Sequence, residues 1–173
     1  AIVMSLSRLG KELEHQVKKE VEFFKIQNLV VHTDLVILSV FKTADNHREV
    51  NTLYRKVQNR GGLMTVTEGL TEITVIFDAK FEEFAAPLLE RGVKRIERKI
   101  GSLSVIFDDS YLSVPGFLYA VMRQIALQGI NIVELSSTAT EFILYLDESD
   151  IQLAFDTLYG TFSNRASAGL IPA

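Results

Sequence analysis

The sequence contains no cysteine, which removes disulfide scaffolds, thiolate zinc sites and cysteine nucleophiles together and fits a reducing, cytoplasmic setting. No apolar run approaches the ~18 residues needed to span a membrane as a helix; the longest, such as Leu35–Phe41 (LVILSVF), are strand-length. A cleavable leader is not expected either, because Arg8, Lys11, Glu12 and Glu14 interrupt the start. An excess of basic charge is missing as well. With a net charge of -4, the chain is expected to be a poor general binder of nucleic acid, so any DNA contact would have to come from a local basic patch or from a region before Ala1. No nucleophile-elbow, phosphate-loop or dinucleotide glycine pattern occurs. His15, His32 and His47 are scattered without a second histidine or a carboxylate at ligand spacing. No metal, no cofactor and no catalytic set is therefore expected. The chain opens on Ala rather than Met, which leads us to expect a fragment or a processed form.

What is present is ordinary globular composition, 47% hydrophobic and 23% charged over 173 residues. A chain of this size buries roughly 70% of its extended surface, enough for one large domain or two small ones. The clearest internal feature is a repeat. Thr71–Asp78 reads TEITVIFD and Thr140–Asp147 reads TEFILYLD, each with a Thr-Glu opening and a closing Asp.

Around that repeat, alternation predicts strands and three-to-four spacing predicts helices, in the order strand, helix, strand, strand, helix in each half. The first half has strands at Val36–Lys42, Leu63–Thr67 and Thr71–Asp78. Its helices are Arg48–Asn59, stopped by Gly61-Gly62, and Phe81–Arg91, with Pro87 inside it. Val93–Ile100 can add a closing strand. The second half has strands at Leu103–Phe107, Ile130–Ser136 and Glu141–Asp147, and helices at Val114–Gln128 and Asp150–Tyr159. Only Phe162 onward is left to close its sheet, although Gln27–Val31, ahead of the first half, could be donated to either. Gly62 stands opposite Gly129, which places Met64 where the second half has Asn131. The expected fold class is α+β: two ferredoxin-like βαββαβ units with antiparallel sheets. The units are expected over residues 27–100 and 101–165, after an N-terminal helix over residues 1–20 in which Ile2, Leu6, Leu9, Leu13 and Val17 recur at helical spacing.

The stretch VPGFLYAVMRQIALQGINIVELSS (Val114–Ser137), followed by TEFILYLD, resembles the ACT domain, a small regulatory fold that binds amino acids. The matching pieces are the Pro115-Gly116 step into a helix and the Gly129-Ile130-Asn131-Ile132 exit from it. The tandem arrangement, over about residues 35–162, is most similar to the paired ACT domains of aspartate kinases. The start of the chain bears a weaker likeness to stand-alone archaeal ACT proteins, in which a helix-turn-helix-like domain precedes the pair. The N-terminal helix could be the end of such a domain, or a helix packed on a sheet or a second subunit.

The resemblance implies an amino-acid ligand, held between ACT units by the Asp108–Gly116 loop and Asn131, and signalling to an attached domain or partner. Independently of it, the loop ends at a helix N-terminus, whose backbone N–H groups suit a carboxylate. Asp108 and Asp109 offer negative charge to an ammonium, and Asn131 can both donate and accept. The candidate ligand-binding residues are thus Asp108, Asp109, Ser113, Val114, Pro115, Gly116, Asn131 and Ile132. The plainer alternative is that Asp109 and Ser113 are turn and cap residues and Pro115-Gly116 a helix start. The first-half loop Thr43–His47 is shorter and has neither Pro nor Gly, so a ligand is expected in the second copy alone. The basic residues Arg91, Lys94, Arg95, Arg98 and Lys99 alternate with apolar ones and suit a solvated sheet edge. Strands apolar on both faces need cover on the face away from the helices, and a homodimer or higher assembly is expected to supply it.

Overall fold

The computed structural model describes residues 24–162. The expected N-terminal helix, and His15 within it, lie outside the described residues. The architecture is α+β, and the described residues divide into two compact units: Val31–Ser102 with Tyr145–Ile151, and residues 24–30 with Leu103–Leu144 and residues 152–162.

In the first unit the order along the chain is β1 (Ile26–Phe41, from Val31 in this unit), α1 (Ala44–Gln58), β2 (Met64–Glu68), β3 (Glu72–Asp78), a 3-10 turn Ala79–Ala85, α2 (Ala86–Glu90) and β4 (Val93–Phe107, up to Ser102 here). The strands lie in the order β2-β3-β1-β4. β3 is antiparallel to both neighbours, with Leu38 opposite Val75 and Val66 opposite Val75 on the other side. Because side chains alternate along a strand, Val36, Leu38, Val40, Ile73, Val75 and Phe77 share one face. They form a single core with Val50, Leu53 and Val57 of α1 and with Phe81 and Leu88.

The opposite face is also closed. Leu35, Ile37 and Ile76 are all but inaccessible, and Ser39 and Thr74, directly paired in register, join their hydroxyls at 2.9 Å. Within the same unit the Tyr145 hydroxyl sits 3.2 Å from Thr65 Oγ1. The apolar runs of β1 and β3 are therefore buried on both faces without a second chain, which withdraws the uncovered sheet face as a reason to expect a dimer.

The helices differ from expectation for local reasons. α1 begins at Ala44 rather than Arg48, because Thr43 is its N-cap and accepts the Asn46 N–H at 3.1 Å. Tyr54, expected on its buried face, is 43% exposed. The expected helix Phe81–Arg91 is split: Pro87 lacks an N–H and sits in the first turn of the short α2, with the 3-10 turn before it. The paired strands expected on either side of His32-Thr33-Asp34 are one strand, β1. Val93–Ile100 and Leu103–Phe107 are likewise one strand, β4. Each passes through a residue in the left-handed region, Asp34 at φ 59 and Lys99 at φ 56.

In the second unit the elements are Ile26–Val30 of β1, Leu103–Phe107 of β4, a 3-10 turn Asp109–Ser113, α3 (Phe117–Leu127), β5 (Glu134–Ser137), β6 (Glu141–Asp147, up to Leu144 here) and α4 (Ile151–Phe162). The strand order is β5-β6-β4-β1, so the segment that precedes the first unit completes this sheet. Phe162, expected to open a closing strand, is helical. α3 buries Phe117, Ala120, Val121 and Ile125, a three-to-four stripe, while Leu118 and Leu127 are exposed.

α1 and α3 end in the same motif. After α3 the Ile130 N–H returns to Ile125 O and the Gly129 N–H to Ala126 O, with Gly129 at φ 73. After α1 the Gly62 N–H returns to Val57 O and the Gly61 N–H to Gln58 O, with Gly61 at φ 64. Gly129 therefore corresponds to Gly61, not Gly62, and the first-unit counterpart of Asn131 is Leu63, not Met64. β5 starts at Glu134 rather than Ile130.

Candidate ligand site

The loop between β4 and α3 is built by its own polar groups. Asp108 caps the 3-10 turn, one carboxylate oxygen accepting the Ser110 N–H at 3.0 Å and the other the Gln27 side-chain amide at 3.3 Å. Hydrogen bonds from the Ser110 side chain and then its backbone hold the Asp108 carboxyl below the usual range. Asp109 and Ser113 are the first and last residues of that turn, both exposed. The Val114 N–H closes the turn onto Tyr111 O at 3.0 Å. Pro115-Gly116 then reverses the chain. Gly116, at φ 93 and ψ -7, has the geometry that a type II turn requires after proline. It is also the N-cap of α3, which starts at Phe117 rather than Val114, and it supplies no side-chain cap to the helix's first N–H groups.

Beside this turn is a cavity of about 210 Å³. Its aromatic wall is Phe107, Tyr111, Phe117 and Phe142. The mouth is rimmed by Leu112, Val114, Gly116 and Leu118, and the far side by Thr138 and Ala139 in the β5–β6 turn. The rings brace one another: Phe107 lies 4.6 Å from Phe142 and 4.8 Å from Phe117 between centroids, and Tyr111 lies 5.0 Å from Phe117. Behind them Phe24 packs 4.9 Å from Phe117, and the Lys25 N–H donates to the Tyr111 hydroxyl at 2.9 Å. The β5–β6 turn is held against the wall by the Phe107 N–H, which donates to Thr140 O at 3.0 Å.

Of the residues singled out in the sequence, Val114 and Gly116 line the cavity, with Asp108, Asp109, Ser113 and Pro115 in the same loop. Asn131 and Ile132 are not among its lining residues; Asn131 is exposed, just past the α3 cap. The aromatic wall and the Thr138-Ala139 turn were missed. The available signal was the placement of Phe107 and Phe142 on strands adjacent in the predicted unit, opposite the first helix turn.

The matching place in the first unit is occupied by its own side chains. Thr43–His47 is a helix start rather than a loop. Asn46 is buried and donates to Phe41 O at 2.8 Å. Lys42 pairs with Glu68 and His47 Nε2 lies 3.3 Å from the same carboxylate; the hydrogen bond from Lys42, first among the causes, lowers the pKa of Glu68. Elsewhere, no group of three or more His, Asp or Glu among the described residues could hold a metal. Three of the four basic residues of β4 meet carboxylates: Lys94 meets Glu72 at 2.7 Å, Arg95 meets Glu97, and Arg98 meets Glu82. No helix among the described residues is long and apolar enough to cross a membrane.

No protein-family model matches the sequence, and no curated protein does. Solved structures do. The regulatory subunit of aspartate kinase from Thermus thermophilus superposes with a TM-score of 0.63 at 12% identity, covering 80% of this chain and 99% of that one. The fold is that of aspartate-kinase regulatory domains. Clostridium acetobutylicum aspartate kinase gives a TM-score of 0.66 at 9% identity, with 80% of this chain and 35% of the enzyme covered. Escherichia coli aspartokinase III, solved with lysine and aspartate, gives 0.58 at 12% identity over 80% of this chain and 33% of the enzyme. The chain thus spans nearly the whole of a separate aspartate-kinase regulatory subunit and about a third of the complete enzymes. At these identities the likeness is one of fold.

Proposed function

We propose that this chain is a non-catalytic regulatory module of the ACT type that binds an amino acid, or a similar small molecule, in its second unit and passes the binding energy to an attached domain or partner. The observation that carries the reading is the braced cavity beside the uncapped start of α3. The helix N-terminus suits a carboxylate, and Asp109, with Asp108 held ionised by Ser110, offers charge to an ammonium. A ligand favouring one arrangement of the module shifts its equilibrium by its differential affinity. Homodimerisation belongs to the same proposal. Its support is the outer strand β2, with Val66 exposed beside a hairpin tip where Leu70 is 96% exposed.

A second reading, a regulatory piece of an amino-acid biosynthetic enzyme, is favoured by the match to one third of complete aspartate kinases. A kinase domain encoded in frame upstream of Ala1 would decide for it. Calorimetric titration with the twenty amino acids, on wild type and on Ala139→Trp, tests the ligand. Binding is expected to wild type and to be weakened at least tenfold when the indole fills the cavity. Failure of all twenty to bind removes the reading.

A further inference from the structure

Resting on the ligand reading above, we infer that the cavity of the second unit selects an amino acid with an uncharged, apolar side chain, and discriminates against lysine, arginine, aspartate and glutamate. No charged residue occurs among the described residues that line it. Phe107, Phe117, Phe142, Leu112, Val114 and Leu118 supply carbon surface. The two lining hydroxyls are Thr138 and Tyr111, and the Tyr111 oxygen already accepts the Lys25 N–H. Of the two carboxylates in the adjoining loop, Asp108 is occupied by Ser110 and Gln27, and Asp109 is the one assigned above to the ligand's own α-ammonium.

An ammonium, guanidinium or carboxylate on the ligand's side chain would lose its water without gaining a counter-ion, a penalty that a buried charge meets only when paired. The faces of Phe107, Phe117 and Phe142 could attract a cation. However, phenylalanine is a weaker cation partner than tryptophan, and these rings already pack edge-on or tilted against each other. An apolar side chain loses nothing on entry and gains from leaving water. The ring cluster is braced from behind by Phe24, so the wall is formed before a ligand arrives and the ordering cost is low.

The test is a titration of the full chain with L-leucine, L-isoleucine, L-valine, L-methionine and L-phenylalanine in one arm and the four charged amino acids in the other. At least one apolar amino acid is expected to bind tenfold or more tightly than every charged one. Any charged amino acid binding as tightly as the best apolar one overturns the selectivity and leaves the ligand reading standing. Binding of none of the nine overturns it too, and the remaining amino acids then decide whether the ligand reading falls with it. Leu118→Asp, at a partly exposed position on the cavity rim, is expected to move the lysine-to-leucine affinity ratio at least threefold towards lysine. An unchanged ratio overturns the assignment of the ligand side chain to this wall.

Discussion

His32 Nε2 lies 2.6 Å from Asp78 Oδ1, and the other oxygen of Asp78 accepts the Leu63 N–H at 3.0 Å. A carboxylate accepts, so the ring N–H donates. One nearly buried side chain thereby ties β1, the end of β3 and the entry to β2 together. Asp78→Ala leaves a partly buried N–H without its partner and is expected to cost about 1–3 kcal/mol in denaturant unfolding. His32→Ala, at a half-exposed side chain, is expected to cost under about 1 kcal/mol. Asp147, the repeat counterpart of Asp78, is exposed and caps Ser149 at 2.9 Å, and its alanine variant is expected to lower the midpoint less than Asp78→Ala does.

Two glycines should fail on substitution for different reasons. A Cβ on Gly62 would lie 2.1 Å from Phe81 Cε2 and 2.8 Å from Val57 Cγ1, so Gly62→Ala overpacks the core and should cost about 1–3 kcal/mol. A Cβ on Gly116 meets nothing within 4 Å, but φ is 93, and Gly116→Ala should cost roughly 1–2 kcal/mol of backbone strain. Adding Phe81→Leu is expected to recover part of the Gly62→Ala loss and none of the Gly116→Ala loss. Equal effects of Phe81→Leu in both backgrounds would contradict the assignment.

Alternation along Val36–Val40 and Ile73–Phe77, and the stripe Val50, Leu53, Val57, made the α+β fold and the repeat legible in the sequence, because these residues face one core. The continuity of β1 and β4 was not legible. It depends on Asp34 and Lys99 adopting positive φ, which their residue types do not announce. The cavity was half legible. Pro115-Gly116 marks its turn, but its wall joins Phe107, Phe117 and Phe142 from two strands and a helix, a meeting that only the sheet register creates. Met64 was matched to Asn131 by aligning Gly129 with Gly62; the left-handed caps align Gly129 with Gly61, and so Asn131 with Leu63.

Asp108 should titrate below a free aspartate, because the Ser110 side chain and then its N–H stabilise the charged form. A depressed folded-state value stabilises the fold above the unfolded value, ~3.9, and that contribution is lost as pH falls through the folded value. Ser110→Ala removes the larger of the two hydrogen bonds and keeps the backbone one. Carboxyl-carbon NMR is expected to show Asp108 moving up towards its ordinary value in that variant. No movement would mean that the hydroxyl does not hold the carboxylate.

The first-unit counterpart of the ligand loop should respond to mutation as structure alone. Thr43 caps α1, and Asn46, buried in its first turn, spends its amide on Phe41 O at 2.8 Å. Thr43→Ala should cost ~1 kcal/mol as a lost cap. Asn46→Ala should cost about 1–3 kcal/mol, since the Phe41 carbonyl loses its donor in a part-buried place. Because the two share one helix start, their double variant should be non-additive. If the ligand belongs to the second unit, neither substitution should change amino-acid affinity by more than about twofold under conditions where both variants remain folded. A tenfold loss from either, with Gly116→Ala and Ala139→Trp without effect, would move the site to the first unit.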